Sequence, residues 1–311
     1  VRAPALTRRA LTRGALATLI LVASACATDE DRSAPAPSTT PSTTTPLPTP
    51  VQTLDIVGTD HHFSITPDPA ESLQPGWTQL TFRNDGAEAH QVMFARIKEG
   101  VDMAELAAAG AGDSSGAGAI EFVDMIGGVS YIGPGQETTA LVELTEGTVM
   151  AMCYVPDANG VAHALMGMTA MLQVEAPTDG AEAPTVEDRP SVVGSIEMSD
   201  DGYRLPDELR TGWYHVRNTD DALHEMALLR LDRAVDPAAT DDLVADLAAN
   251  ADPDVELDAL GGMGAISPGF DGYLHLELTP GDYLAVDFMP DPGEPRPHML
   301  DGYHASFRVD A

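Results

Sequence analysis

The sequence predicts a mainly β chain, two tandem antiparallel β-sandwiches each carrying a short helical insert. Three observations predict it. Short segments such as Trp77 to Phe82, Ala140 to Leu144 and Ala170 to Val174 alternate apolar and polar residues, the period of a half-buried strand. Pro-Gly, Asn-Asp-Gly and Glu-Gly turns separate these segments. The chain also repeats itself. At an offset of 134, Asn84 and His90 fall on Asn218 and His224, Gly127-Gly128 on Gly261-Gly262, Pro134-Gly135 on Pro268-Gly269, Glu143-Leu144-Thr145 on Glu277-Leu278-Thr279 and Pro156-Asp157 on Pro290-Asp291. One inserted residue later the offset is 135, and His163, Gly167 and Val174 match His298, Gly302 and Val309. Matches in one register over this length indicate an internal duplication.

The elements follow in order. Residues 1–25 read as a signal peptide: Arg2, Arg8, Arg9 and Arg13 precede an apolar run from Ala15 to Val22 and the small residues Ala23-Ser24-Ala25. That apolar run is too short to span a bilayer. Small residues ending in Cys26 resemble a bacterial lipoprotein box, which implies that Cys26 is diacylated and anchors the exported chain to the outer face of the cell membrane. Ala23 stands where leucine is more usual, and plain secretion is the alternative. Residues 26–50 are rich in Ser, Thr and Pro and read as a solvated tether. The first sandwich is expected over 51–175, a Pro/Asp/Glu/Gly-rich linker over 176–190 and the second sandwich over 191–311. Val101 to Ala109 and Pro237 to Ala249 have helical character, with Leu243, Val244 and Leu247 as an apolar stripe.

The chain is strongly acidic, with 49 acidic against 16 basic residues and a formal charge of −33. Four of those basic residues lie in the signal segment. Such a balance argues against nucleic acid and against a membrane contact other than the N-terminal lipid, and it favours cations or basic proteins. Solubility alone is an equally good reason for it. The acidic residues lack the spacing of a calcium loop.

Apart from Cys26, Cys153 is the only cysteine. A free thiol in an exported protein needs an explanation, and a metal bond supplies one. His163 follows ten residues after Cys153, Met168 five after that, and His90 lies upstream in Asn84-Asp85-Gly86-Ala87-Glu88-Ala89-His90. Two imidazoles, a thiolate and a thioether form the soft ligand set that selects copper for electron transfer. Taken singly, each residue has a plainer reading: a buried cysteine is a small hydrophobe, and Met168 is one of thirteen methionines.

Together these residues resemble the cupredoxin family, small Greek-key sandwiches that hold type 1 copper. The resemblance covers each repeat nearly whole: Asn-x-Gly-x-x-x-His, then Pro-Gly, then Cys, His and Met on the loop between the last two strands. It implies one type 1 copper held by His90, Cys153, His163 and Met168. Nine residues separate Cys153 from His163, more than in plastocyanin-like members and closer to nitrite-reductase-like ones. In the second repeat Asp287 stands at the position of Cys153 and Tyr303 at that of Met168, so no type 1 centre is expected there. That repeat is structural, or else His224, Asp287 and His298 make a weak, harder N/O site.

Two-domain members of the family include copper nitrite reductases and small laccases, whose second copper is held by His-x-His pairs or by a histidine adjoining the type 1 cysteine. Cys153 is flanked by Met152 and Tyr154, and the adjacent pair His61-His62 stands alone before a strand. The expectation is therefore that the chain is not an enzyme. Gly112-Asp113-Ser114-Ser115-Gly116 fits a serine-hydrolase elbow but lacks a preceding strand. Met150 and Met152 are expected to share one strand face. The expected function is one-electron transfer through the first copper to or from a redox partner protein, a basic one being favoured by charge. The alternatives are a copper carrier or buffer without a redox partner and a metal-free cupredoxin-like binding module.

Overall fold

The structure is a computed structural model that describes residues 45–68, 71–112, 117–176, 189–199, 201–249, 251, 253–291 and 296–311. The expected signal peptide, Cys26, most of the tether, residues 177–188 of the linker and residues 113–116 of the hydrolase-like stretch lie outside them. Among the described residues no helix is long and apolar enough to cross a membrane.

The chain is mainly β. In its first half, β1 (Gln52–Thr59), β2 (His62–Thr66), β3 (Gly76–Asn84) and β6 (Glu137–Leu144) share one sheet. The facing sheet holds β4 (His90–Ile97), β5 (Val123–Ile132), β7 (Gly147–Met152) and β8 (Thr169–Val174). The second half follows the same plan. There β9 (Val192–Ser199), β10 (Gly202–Arg204), β11 (Gly212–Asn218) and β14 (Asp271–Leu276) join the first sheet. The strands β12 (His224–Leu231), β13 (Leu257–Ile266), β15 (Gly281–Val286) and β16 (His304–Val309) join the second. Helices α1 (Met103–Gly110) and α2 (Pro237–Ala248) fill the β4–β5 and β12–β13 connections. Leu243 and Val244 of α2 are buried and Leu247 packs beside them. The arrangement is a Greek-key sandwich in each half.

Each sheet has eight strands and runs through both halves, in the orders β10-β9-β11-β14-β6-β3-β1-β2 and β16-β15-β12-β13-β5-β4-β7-β8. The join is made by antiparallel pairing of β6 with β14 and of β5 with β13. Strands that would otherwise be open edges thereby pair with each other, which satisfies their backbone groups. One detail departs from the sequence reading: β1 runs parallel to β3 and β9 parallel to β11, so the sandwiches are mixed rather than antiparallel. Alternation reports which face a residue occupies and is blind to strand direction.

The tether reading also needs correction at its end. Leu47 is buried against Leu141 and Tyr273, with Trp77, Trp213 and Val192 packed alongside. Its N–H donates to the Pro190 carbonyl at 2.9 Å. Composition marked the whole segment as solvated, but one leucine suffices to dock residues 45–50 over the seam where β6 meets β14.

Side chains from both sheets meet in a common core that includes Leu54, Ile56, Leu80, Phe82, Val92 and Phe94. The matched Gly-Gly pairs have a steric cause. Gly128 and Gly262 have φ of 130° and 129°. A Cβ there would sit 2.1 Å from the Val92 carbonyl oxygen and 1.9 Å from that of Met226, so only glycine fits. The β4–β5 and β12–β13 ladders shift register beside these contacts, as at β-bulges. Gly128→Ala should lower stability by at least about 2 kcal/mol; an unchanged denaturation midpoint would contradict this account.

A buried carboxyl sits at the seam. Glu225 accepts from Ser130 Oγ at 2.9 Å, while its other oxygen has no hydrogen-bond partner in the protein. Burial, with the Asp287 charge adding to it, pushes this carboxyl from 4.5 up to about 8. The folded chain therefore holds a proton that the unfolded chain releases near pH 4.5. Stability from this group is complete below that pH and is lost as pH rises towards about 8. Denaturation midpoints measured from pH 5 to 8 should fall in the wild type and flatten in Glu225→Gln.

Candidate metal centre

The site is built by two segments. The first is the β3–β4 turn, held by Asn84. Its side-chain amide donates to the carbonyls of Glu88 at 2.8 Å and Ile132 at 3.0 Å, and its Oδ1 accepts from Gly86 N–H at 2.8 Å. This clamp sets the chain's entry into β4, whose first residue is His90. The second is the β7–β8 connection. Cys153 N–H donates to Met168 O at 3.2 Å, Ala164 N–H to Cys153 O at 2.7 Å, His163 N–H to Val155 O at 2.9 Å and Met168 N–H to His163 O at 3.0 Å. The intervening turn is tied by Asp157, which accepts from the N–H groups of Asn159 and Val161. The long Cys-to-His spacing thus forms a closed, internally bonded loop.

His90, Cys153 and His163 are brought together, with donor atoms within 4.8 Å of one another. The two Nδ1 atoms are 3.1 Å apart and Cys153 Sγ lies 3.6 Å from His163 Nδ1. All three residues are fully buried. Met168 is buried in the same core. A Cβ on Gly58 would stand 3.0 Å from the Phe82 ring and 3.3 Å from Met168 Cε, so a side chain at this position would press on the thioether end.

Burial drives the electrostatics. It pushes the Cys153 thiol up to about 12, against the backbone N–H groups of Gln91 and Val155, which bond the sulfur and favour the thiolate. His90 and His163 are pulled down, first by burial and then by the neighbouring imidazoles, His163 for the one and His61 for the other. The group is therefore a protonated thiol beside neutral imidazoles. A soft cation fits this donor set: it replaces the thiol proton and meets two nitrogen lone pairs.

Asp60 and Glu88, to which the sequence reading assigned no role, and His61, set aside there as part of an isolated pair, stand directly behind these. Asp60 Oδ1 lies 3.4 Å from His90 Nε2 and also accepts from Ala87 N–H at 2.9 Å. That backbone bond leads in holding Asp60 below the usual carboxylate range. Such a carboxylate orients a ligating imidazole. A Cβ on Gly86 would lie 2.6 Å from Asp60 Oδ1 and 2.7 Å from His90 Nε2, so the motif glycine leaves room for the contact. Glu88 Oε2 lies 3.0 Å from His163 Nε2. The His61 ring meets the His163 ring edge to face at 4.9 Å. A signal for Glu88 was its place inside the Asn84-to-His90 motif; for Asp60 and His61 it was a polar turn between two strand-like runs.

The second half has the same frame with other chemistry. His224, Asp287 and His298 come together and are buried. Asp287 Oδ2 meets His224 Nδ1 at 2.7 Å and His298 Nδ1 at 3.1 Å, and Asp287 Oδ1 accepts from Met289 N–H. Tyr303, at the position of Met168, stacks on His224 with centroids 4.0 Å apart and donates to Asp220. Burial lowers His298, but the Asp287 hydrogen bond and charge outweigh it and leave the imidazole raised. A carboxylate between two imidazoles is satisfied by their protons.

No family model matches the chain, and no curated protein matches it. Among solved structures, the dithionite-reduced auracyanin of Roseiflexus castenholzii is 19% identical over 42% of this chain and all of its own length, with a TM-score of 0.29. The blue copper oxidase of Nitrosomonas europaea is 14% identical, covering 83% of this chain and 85% of its own, TM-score 0.25. The copper-containing nitrite reductase of Thermus scotoductus is 13% identical, covering 83% and 61%, TM-score 0.23. The expectation that the chain is not an enzyme is corrected here: solved structures that span most of it include an oxidase and a reductase. That expectation rested on histidine spacing along the sequence, whereas the fold brings His61 to His163 across a hundred residues. At these identities the likeness concerns the fold and assigns no activity.

Alkylation of Cys153 by iodoacetamide at pH 8, followed by peptide mapping, should be at least about a hundredfold slower in the native metal-free chain than in guanidinium. Equal rates would contradict the buried, protonated thiol.

Proposed function

We propose that the chain is an exported copper protein that transfers single electrons through one type 1 centre formed by His90, Cys153, His163 and Met168. The observation that carries this reading is the convergence of one thiol and two neutral imidazoles, all fully buried. Bound copper supplies the one-electron redox couple. Cys153 gives up its proton to become the strong ligand, and the Gln91 and Val155 N–H groups hold charge on its sulfur. His90 and His163 would offer Nδ1, the first held by β4 and the Asn84 clamp and the second by the bonded loop. Met168, adjoining through its backbone bonds to Cys153 and His163, would add a weak thioether contact.

The second half descends from a duplication of the first in this reading. It keeps the fold but replaces the metal with protons shared between Asp287, His224 and His298. Its role is to complete both sheets. A signal peptide and lipidation at Cys26 place the chain outside the cytoplasm, and its acidity suits a basic redox partner. One observation favours a copper-carrying role as a second reading: Met103, Met150 and Met152 line a common groove, and Met103 is exposed, as thioethers receiving Cu(I) require.

Titration with Cu(II), followed optically and by EPR, tests the proposal. The expected result is an intense visible thiolate-to-copper band at one copper per chain, absent in Cys153→Ser. No band in the wild type would overturn it. Rapid loss of Cu(I) to a chelator, without redox cycling, would favour the carrier.

A further inference from the structure

The outward side of His163 meets a second set of donors. Ring nitrogens of His61 and His163 and a carboxylate oxygen of Glu88 lie within 4.8 Å of one another. His61 Nε2 and His163 Nε2 are both buried, and neither has a hydrogen-bond partner in the protein. Glu88 Oε2 is 3.0 Å from His163 Nε2 as a charge contact. By contrast, the second nitrogen of His90 does make its bond, to Asp60.

The backbone shows a cost at the same place. His61 sits at the tip of the β1–β2 hairpin, between Thr59 and its pairing partner His62, with φ at 63°. It is the one described non-glycine residue with positive φ. Histidine tolerates that region better than most residues, yet it remains disfavoured and persists where the surroundings demand it. The conformation sets an imidazole against His163 in a turn whose preceding residue, Asp60, reaches His90.

Two imidazoles and one carboxylate are a borderline N/O set suited to Zn²⁺ or Cu²⁺. Glu88 is half exposed, which leaves a coordination position open to solvent. The acidic chain concentrates divalent cations around itself.

We propose that His61, Glu88 and His163 Nε2 form a second site, for a borderline divalent transition-metal ion, joined to the first centre through the His163 ring. The bridge rests on the reading that His163 Nδ1 faces copper; the second site itself does not. Protons balance in both states. With the first centre free of metal, His163 keeps one proton on Nδ1 and offers the Nε2 lone pair. With Nδ1 bound to copper, the Nε2 proton leaves to solvent as the second ion binds, so one proton is released per ion.

Zn²⁺ is the probe, followed by calorimetry. The full chain carrying His90→Ala and Cys153→Ser cannot hold the first ion but keeps all three second-site donors. It should bind one Zn²⁺, and adding His61→Ala or Glu88→Gln should weaken binding by about tenfold or more. In the copper-loaded wild type, Zn²⁺ should bind in one equivalent with release of one proton, read from the buffer dependence of the heat, while the thiolate band persists. Absence of Zn²⁺ binding at millimolar concentration in both proteins, or binding unchanged by His61→Ala and by Glu88→Gln, would overturn the proposal. A wild type that lacks the copper band but binds Zn²⁺ through His61 overturns the copper reading and leaves this site standing.

Discussion

The β4–β7 ladder governs what the first half can do. Met93 pairs with Met152 and Phe94 with Ala151, so Cys153 leaves the end of β7 beside the start of β4, where His90 stands. The same register brings the Gln91 N–H to the sulfur. Side chains alternate between faces along a strand, so a slip of one residue would turn Cys153 and His90 to opposite sides. The glycines opposite β4, the Asn84 clamp and the bonded loop from Cys153 to Met168 all serve to hold that register and to close the site around it.

The two halves form a natural comparison at constant backbone. His298 and Met289 repeat the bond of His163 to Val155, and Met299 and Asp287 repeat that of Ala164 to Cys153. Within that frame one exchange decides the chemistry. A buried thiol beside two imidazoles is poorly satisfied without a cation, since sulfur is a weak hydrogen-bond acceptor and donor. A buried carboxylate in the same place accepts two imidazole protons at 2.7 and 3.1 Å. The first arrangement asks for a soft metal, whereas the second already pairs its carboxylate with imidazole protons.

Edge-to-edge joining gives the second half a purpose that needs no metal. β13 and β14 cover the edges of β5 and β6, and β5 is the strand against which β4 is laid. The seam is not purely apolar. Glu225 and Ser130 place a hydrogen-bonded carboxyl within it, where charge is costly, so the association of the halves is linked to pH. On the far side of the first site, the β1–β2 turn contributes Asp60 and His61 to the two imidazoles, so strands from both sheets converge on one small volume.

Period-two alternation, turn residues and a repeat of 134 residues determined by themselves the strand content and the two matching halves, because these are properties of spacing along one chain, and the order of His90, Cys153, His163 and Met168 was legible as a resemblance to a copper ligand set. Loss of the thiol in the second half was equally legible from Asp287. Tertiary structure alone decided the rest. Parallel pairing of β1 with β3, continuity of the sheets across the seam and docking of Leu47 depend on which backbone edges meet, and no local pattern encodes that. Asp60, Glu88 and His61 joined the site because turns distant in sequence fold over the same imidazoles, and proximity in space has no signature in spacing.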